Sequence, residues 1–174
     1  MKFKDFLNES ALKDIQKEDK IFIMIIGGVA SGKSYIYEKN FSKIKLVDVD
    51  EYVKKLSGGD WEKARKLVSK GVMAAKADLL KSFKDNKSVV HMGIGGSIKQ
   101  TTNKFLWAKE KGFKTAIVLV DVSLDKALER NQSRADKGER NLIPDYKVQR
   151  SNTTSRENYK VYKKITDYSI IIKN

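Results

Sequence analysis

The chain has no cysteine, one proline and one histidine in 174 residues. Without cysteine, disulfides and thiolate metal sites are excluded, and a reducing compartment suits the chain. No apolar run approaches the roughly 20 residues of a membrane span, so no membrane association is expected. The segment Met1–Leu7 lacks the apolar core of a signal peptide. Acidic residues are comparatively scarce: 22 Asp+Glu stand against 36 Lys+Arg, a net charge of +14. Residues 1–20 carry five charges of each sign, so the whole excess lies in residues 21–174. Such an excess favours a polyanionic partner, nucleic acid first among them. Solvated lysine faces are the alternative. A hydrophobic content of 40% over this length gives an ordinary globular composition, enough for one domain with a sizeable core.

What is present centres on Gly27-Gly28-Val29-Ala30-Ser31-Gly32-Lys33-Ser34, which fits the phosphate-binding pattern G-x-x-x-x-G-K-[ST]. The apolar run Ile21–Ile26 before it suits a strand buried on both faces, and Tyr35–Asn40 after it suits a helix. A glycine-rich turn leading into a helix N-terminus directs backbone N–H groups and the helix dipole at an anion. Gly28, Val29, Ala30, Ser31, Gly32, Lys33 and Ser34 are therefore expected to hold the phosphates of ATP. Lys33 would reach the terminal phosphates, and the Ser34 hydroxyl would ligate Mg2+.

The rest of the chain alternates strands with helices. Residues 1–20, with Phe3, Phe6, Leu7, Leu12 and Ile15 at helical spacing, form an N-terminal amphipathic extension that packs on its own domain or docks a protein partner. Lys45–Asp50 reads as a strand beside the first, followed by a helix from Glu51. Asp60 is an N-cap for a helix in which Trp61, Ala64, Val68, Val72, Ala75 and Leu79 recur on one face up to about Lys84. Ser88–Met92 is a strand closed by Gly93-Ile94-Gly95-Gly96. Ser97 and Gln100 form a capping box for a helix that Gly112 stops, with Trp107 as packing. Thr115–Val120 is a strand ending at Asp121, and Ser123 caps a helix over 124–133. Residues 134–144 read as a charged loop or lid, Asp145 to about Lys164 as a helix, and Tyr168–Ile172 as the last strand. The expectation is a single α/β domain over 21–174, with a five-stranded parallel sheet, helices on both faces and a basic lid. Its ligands would sit beyond the strand C-termini.

Phosphoryl transfer also needs a carboxylate near the acceptor hydroxyl and cations on the migrating group. Asp48 and Asp50 close the second strand. A carboxylate there can orient the hydroxyl, accept its proton or hold magnesium through water. Spacing leaves open which of the two points inward, and helix capping by Asp50 is the competing role. Arg130 and Arg134 lie four apart on one helix face, and Arg140 and Arg150 flank Pro144. Arginine suits phosphate because its planar fork pairs with two oxygens, although a solvated basic face is the alternative. His91 is expected to be structural.

Three features resemble the small P-loop kinases that include phage polynucleotide kinase and the zeta-toxin kinases. They are the phosphate loop after strand one, Asp50-Glu51-Tyr52 after strand two, and Arg130-Asn131-Gln132-Ser133-Arg134 followed by a loop and Ile143-Pro144. The resemblance implies Asp50 as acceptor base, Lys33 and Ser34 on phosphate and magnesium, and Arg134 with Arg130 on the donor phosphates. The kinase constellation together with the +14 charge points to a hydroxyl of nucleic acid as acceptor, a 5′-hydroxyl end or the hydroxymethyl group of a modified base, DNA ahead of RNA, with a nucleotide sugar or other small molecule as the zeta-toxin-like alternative. A cytoplasmic setting follows, that of a bacterial host if the chain is phage-encoded. Many relatives carry an acidic residue before the Gly-x-Gly turn after strand three, where this chain has Met92, so acceptor identity stays open. A nucleotide-binding module without catalysis is the third possibility.

Overall fold

The computed structural model describes residues 3–139 and 141–174, with backbone alone at 3–9 and at Trp61. Arg140 and the side chains of Phe3, Phe6 and Leu7 lie outside that description. Five strands form one parallel sheet: β1 (Ile21–Ile26), β2 (Lys45–Asp48), β3 (Val89–Gly93), β4 (Lys114–Asp121) and β5 (Tyr168–Lys173). The helices are α1 (Phe3–Lys17), α2 (Lys33–Phe41), α3 (Val49–Ser57), α4 (Trp61–Lys84), α5 (Ile98–Glu110), α6 (Leu124–Asp136) and α7 (Asp145–Tyr162).

β1 lies at the centre of the order β2-β3-β1-β4-β5 and is buried at all six positions. Side chains alternate across a strand, so it serves two cores. Phe22, Met24 and Ile26 pack with Ala75, Leu79, Phe83, Phe105 and Tyr162, from α4, α5 and α7. Ile21, Ile23 and Ile25 pack with Ile36 and Phe41 of α2 and with Ile15 of α1. Ile15 is fully buried, which seats α1 against the sheet.

The caps fall where side-chain chemistry puts them. Asp60 accepts from the backbone N–H groups of Glu62 and Lys63, Ser97 from that of Gln100, and Ser123 from that of Lys126. Four expectations need correction. β2 pairs with β3 and not with β1; the more uniformly buried Val89–Met92 takes the inner position. β2 also ends at Asp48, because the Asp48 carboxylate accepts from the Asp50 N–H and starts α3 there. On α4, Val68 and Val72 are about half exposed (48% and 47%), since the inward stripe runs through Ala64, Ala75, Leu79 and Phe83. In addition, α6 continues to Asp136, so the segment joining it to α7 is shorter than the charge pattern suggested.

Candidate active site

The turn after β1 is held open by backbone geometry. Gly32 has φ +94°, a left-handed conformation that glycine adopts without penalty, and it gives α2 no side-chain cap. The N–H groups of the first turn of α2 are thus left for an anion. Ala30 also has positive φ, 58°, a conformation that carries strain outside glycine. Lys33 Nζ donates to the carbonyls of Gly27 (3.0 Å) and Gly28 (2.9 Å), which curls it over the loop. Ser31 is fully buried, and its Oγ has no hydrogen-bond partner among the described residues.

Helix α7 braces this loop from behind. Ser151 Oγ accepts from the Val29 N–H at 2.9 Å. A Cβ at Gly28 would meet the Asn152 side chain at 2.4 Å, so only glycine fits that approach. Further along the same helix, Arg156 donates from Nε to Asp121 and from Nη2 to the Val122 carbonyl, both at 2.6 Å. Asn158 Nδ2 donates to the Gly95 carbonyl at 2.8 Å, and the buried Tyr162 hydroxyl donates to the same carbonyl at 2.6 Å.

Two cavities meet at the phosphate loop. One, of about 550 Å³, is lined by Ala30, Gly32, Tyr35, Arg130, Arg134 and Asn174, among others. The second, of about 490 Å³, is lined by Val29–Ser34, Asp48, Asp50, His91, Gly93–Ser97, Lys104 and Arg134. Arg134 belongs to both. Here the C-terminal ends of β1, β2 and β3 come together, and the neighbouring strands β1 and β3 are followed by helices on opposite faces of the sheet, α2 and α5, which makes the crevice where open α/β sheets take ligands.

The arginines divide. Arg130 rests on the outside of the loop, donating to the carbonyls of Ala30 (3.5 Å) and Ser31 (3.4 Å). Arg134 stands in the last turn of α6, 4.0 Å from the Glu139 carboxylate. Between them Asn131, 1% exposed, donates to the Ile143 carbonyl at 2.8 Å and fastens the far end of the connecting segment. Arg150 is exposed on α7 and lines neither cavity. Asp121 is held by Arg156 and Lys173; despite burial, these hydrogen bonds take its carboxyl below the usual range.

Both candidate carboxylates line the second cavity. Asp48, at the tip of β2, is the more enclosed. Burial above all pushes its pKa up to about 6; the charges of Asp50 and Glu51 add to this, and that of Lys33 opposes it. Asp50 is exposed in the first turn of α3. His91 is buried as expected, yet it also faces the cavity. Its Nδ1 lies 2.8 Å from the Val47 carbonyl and its Nε2 lies 2.8 Å from Lys104 Nζ. Burial first, then the Lys104 charge, lowers its pKa to about 4. Burial likewise lowers that of Lys104 to about 8. Lys104 went unnoticed in the sequence, where it is one of 36 basic residues on an ordinary amphipathic helix. Ser151, Asn152 and Asn174 gave no signal either, because polar residues there look like solvent-facing ones.

No protein-family model matches the sequence, and no curated protein matches it. Solved structures do. A candidate kinase of Chloroflexus aurantiacus is similar at TM-score 0.65 and 14% identity, over 90% of this chain and 86% of that one. A structure from the PezAT chromosomal toxin-antitoxin system of Streptococcus pneumoniae is similar at TM-score 0.69 and 13% identity, over 98% of this chain and 77% of that one. A chain of the Pnkp1/Rnl/Hen1 RNA repair complex is similar at TM-score 0.65 and 14% identity; the match spans 86% of this chain and about half, 48%, of that one. At such identities the likeness establishes the fold: a single α/β domain of the P-loop kinase type.

Proposed function

We propose that the protein is an ATP-dependent phosphotransferase that moves the γ-phosphoryl group to a hydroxyl of nucleic acid, either a 5′-hydroxyl end or the hydroxymethyl group of a modified base, DNA ahead of RNA. The observation that carries this reading is that Lys33, Ser34, Asp48, Asp50 and Arg134 line one cavity at the mouth of the phosphate loop. A phosphate cradle, carboxylates for an incoming hydroxyl and a cation for the migrating group are the parts this chemistry requires.

The donor phosphates lie on the loop N–H groups and the N-terminus of α2, and the nucleoside occupies the cavity beside Tyr35, Arg130 and Asn174. Lys33 swings from the Gly27 and Gly28 carbonyls onto the terminal phosphates. Asp50 orients the acceptor oxygen in line and accepts its proton as the bond forms. Arg134, shared by both cavities, stabilises charge on the phosphoryl group in flight. Among the described residues no three acidic or histidine side chains cluster into a metal cage. Magnesium does not need one, since it is held by one or two protein groups together with phosphates and water; Ser34 and Asp48 are the residues placed to hold it. Bound there, the ion would neutralise charge on the phosphates. The segment between α6 and α7 closes over the donor and excludes water, which limits wasteful hydrolysis.

The acceptor class rests on the +14 charge and on the likeness to a chain of an RNA repair complex. The cavity of about 490 Å³ has the size of a small-molecule site, which favours a nucleotide sugar as second reading. The test is transfer of labelled phosphate from ATP to single-stranded DNA, RNA, nucleosides and nucleotide sugars, with products identified by mass spectrometry. Phosphorylated polynucleotide is the expected result. Transfer to nucleotide sugar alone overturns the nucleic-acid acceptor. No transfer to any of them overturns the kinase reading and leaves a nucleotide-binding module.

A further inference from the structure

The second cavity contains a cation for which the transfer chemistry above has no use. Lys104 lies on α5, one turn beyond Gln100 and Thr101, and these three line the wall of the cavity that faces the phosphate loop. Its ammonium is partly buried, and no carboxylate of the described residues stands within ion-pair distance of it. What holds it is His91. The Val47 carbonyl can only accept, so the proton of the imidazole sits on Nδ1 and points at Val47. Nε2 therefore presents a lone pair, and Lys104 donates to it. The imidazole, 5% exposed, is fixed by β2 on one side and fixes the lysine on the other. A desolvated ammonium whose protein partner is neutral is an incomplete ion pair.

We propose that Lys104, positioned by His91, is an anion-reading residue of the acceptor half, and that it seats a phosphate group carried by the acceptor molecule. The inference rests on the reading of this cavity as the acceptor site. It deepens that reading by placing the acceptor's own phosphate on the α5 wall, at Lys104, with its hydroxyl toward Asp50. Lys104 makes no covalent bond and takes no proton; it selects and orients. Two sources supply such a phosphate: the backbone of a polynucleotide next to its reacting end, or the phosphate of a small nucleotide. Gln100, Thr101 and the Gly93–Gly96 turn surround the place with neutral groups, so Lys104 would supply the charge recognition.

The sole histidine provides the readout. In full-length protein saturated with magnesium and a non-hydrolysable ATP analogue, the His91 ring resonances are followed by NMR while inorganic phosphate is added. A saturable shift of the Nε2 signal is expected, absent in an equal concentration of chloride. The shift is lost in Lys104→Met and retained in Lys104→Arg. Displacement of the phosphate by a 5′-hydroxyl oligothymidylate identifies the polynucleotide source, and displacement by a nucleotide sugar the small-molecule one. No shift with phosphate, or the same shift in Lys104→Met, overturns the proposal. Catalysis is a separate result. A chain that phosphorylates an acceptor without any phosphate response at His91 refutes Lys104 as reader while the kinase stands. A response without transfer to any acceptor refutes the kinase and leaves an anion site.

Discussion

On the side of the cleft proposed to take the donor, the cations rest on backbone oxygens. Lys33 lies on the Gly27 and Gly28 carbonyls and Arg130 on those of Ala30 and Ser31. On the side proposed for the acceptor, Asp48, His91 and Lys104 are all displaced from their ordinary protonation behaviour, each chiefly by burial. Carbonyl dipoles can be exchanged for phosphate oxygens one for one, so the donor half is stable empty and ready when filled. The other half instead holds charge that water has partly left, which on the proposed reading a fitting acceptor would relieve. On the proposed reading, binding falls to the donor side and discrimination to the acceptor side.

The contrast can be broken experimentally at several points. The largest effect is expected from Lys33→Ala, which removes a charge clamp from the moving phosphoryl group. Its turnover number should fall by roughly 10²–10³-fold, or about 3–4 kcal/mol, while its melting temperature stays near that of the wild type. A near-normal rate would contradict the assignment of Lys33.

Acid stability probes the other half. The pKa of His91 is about 4 in the folded chain against 6.5 in the unfolded one. Between those values only the unfolded chain gains the proton, so His91 contributes stability at higher pH that is lost as pH falls, up to about 3 kcal/mol. Asp48 runs the other way. Its carboxyl is raised from 3.8 to about 6, so the folded chain takes the proton first and is favoured as pH drops through that window. Its partial exposure brings this to about 2 kcal/mol. The two oppose each other in the wild type. Asp48→Asn should therefore steepen the loss of stability between pH 6.5 and 4, read as urea midpoints across that range. A slope equal to wild type would mean that Asp48 is not electrostatically loaded.

Lys104→Met should sharpen the comparison by stabilising the ligand-free protein at neutral pH, by about 1 kcal/mol, because the relief of a cation whose charged form burial disfavours outweighs the lost donor at His91 Nε2. Thermal unfolding with and without an acceptor tests this, and destabilisation would refute it. The smallest effect is on the donor side. Ser151→Ala leaves the Val29 N–H without its hydroxyl partner and should cost about 1 kcal/mol in denaturant unfolding.

The architecture was largely legible because the apolar runs at 21–26, 89–92 and 115–120 can only be strands buried on both faces, and because Asp60, Ser97 and Ser123 stand before helical periods. The phosphate loop was legible because its chemistry fixes its spacing. Strand order was not, since nothing within Lys45–Asp48 says which neighbour it takes. Capping was expected of Asp50, and only the fold shows that Asp48 is the cap, accepting from the Asp50 N–H. Lys104 and His91 stand thirteen residues apart on different elements, and their pairing depends on where the fold sets α5 against the sheet. Arg150, by contrast, had the right charge and the wrong face of α7.

Helix α7 bears on any attempt to build hybrids of this chain with its structural neighbours. Ser151 and Asn152 meet the phosphate loop, Arg156 meets the end of β4, and Asn158 and Tyr162 meet the Gly95 turn. One rod is thereby keyed into three separate loops. Transplanting any of those loops alone would leave a lock without its key. A workable graft must exchange the rod and its three sockets as a set, and drift at residue 151, 152, 156, 158 or 162 is permitted only where the opposing loop drifts with it.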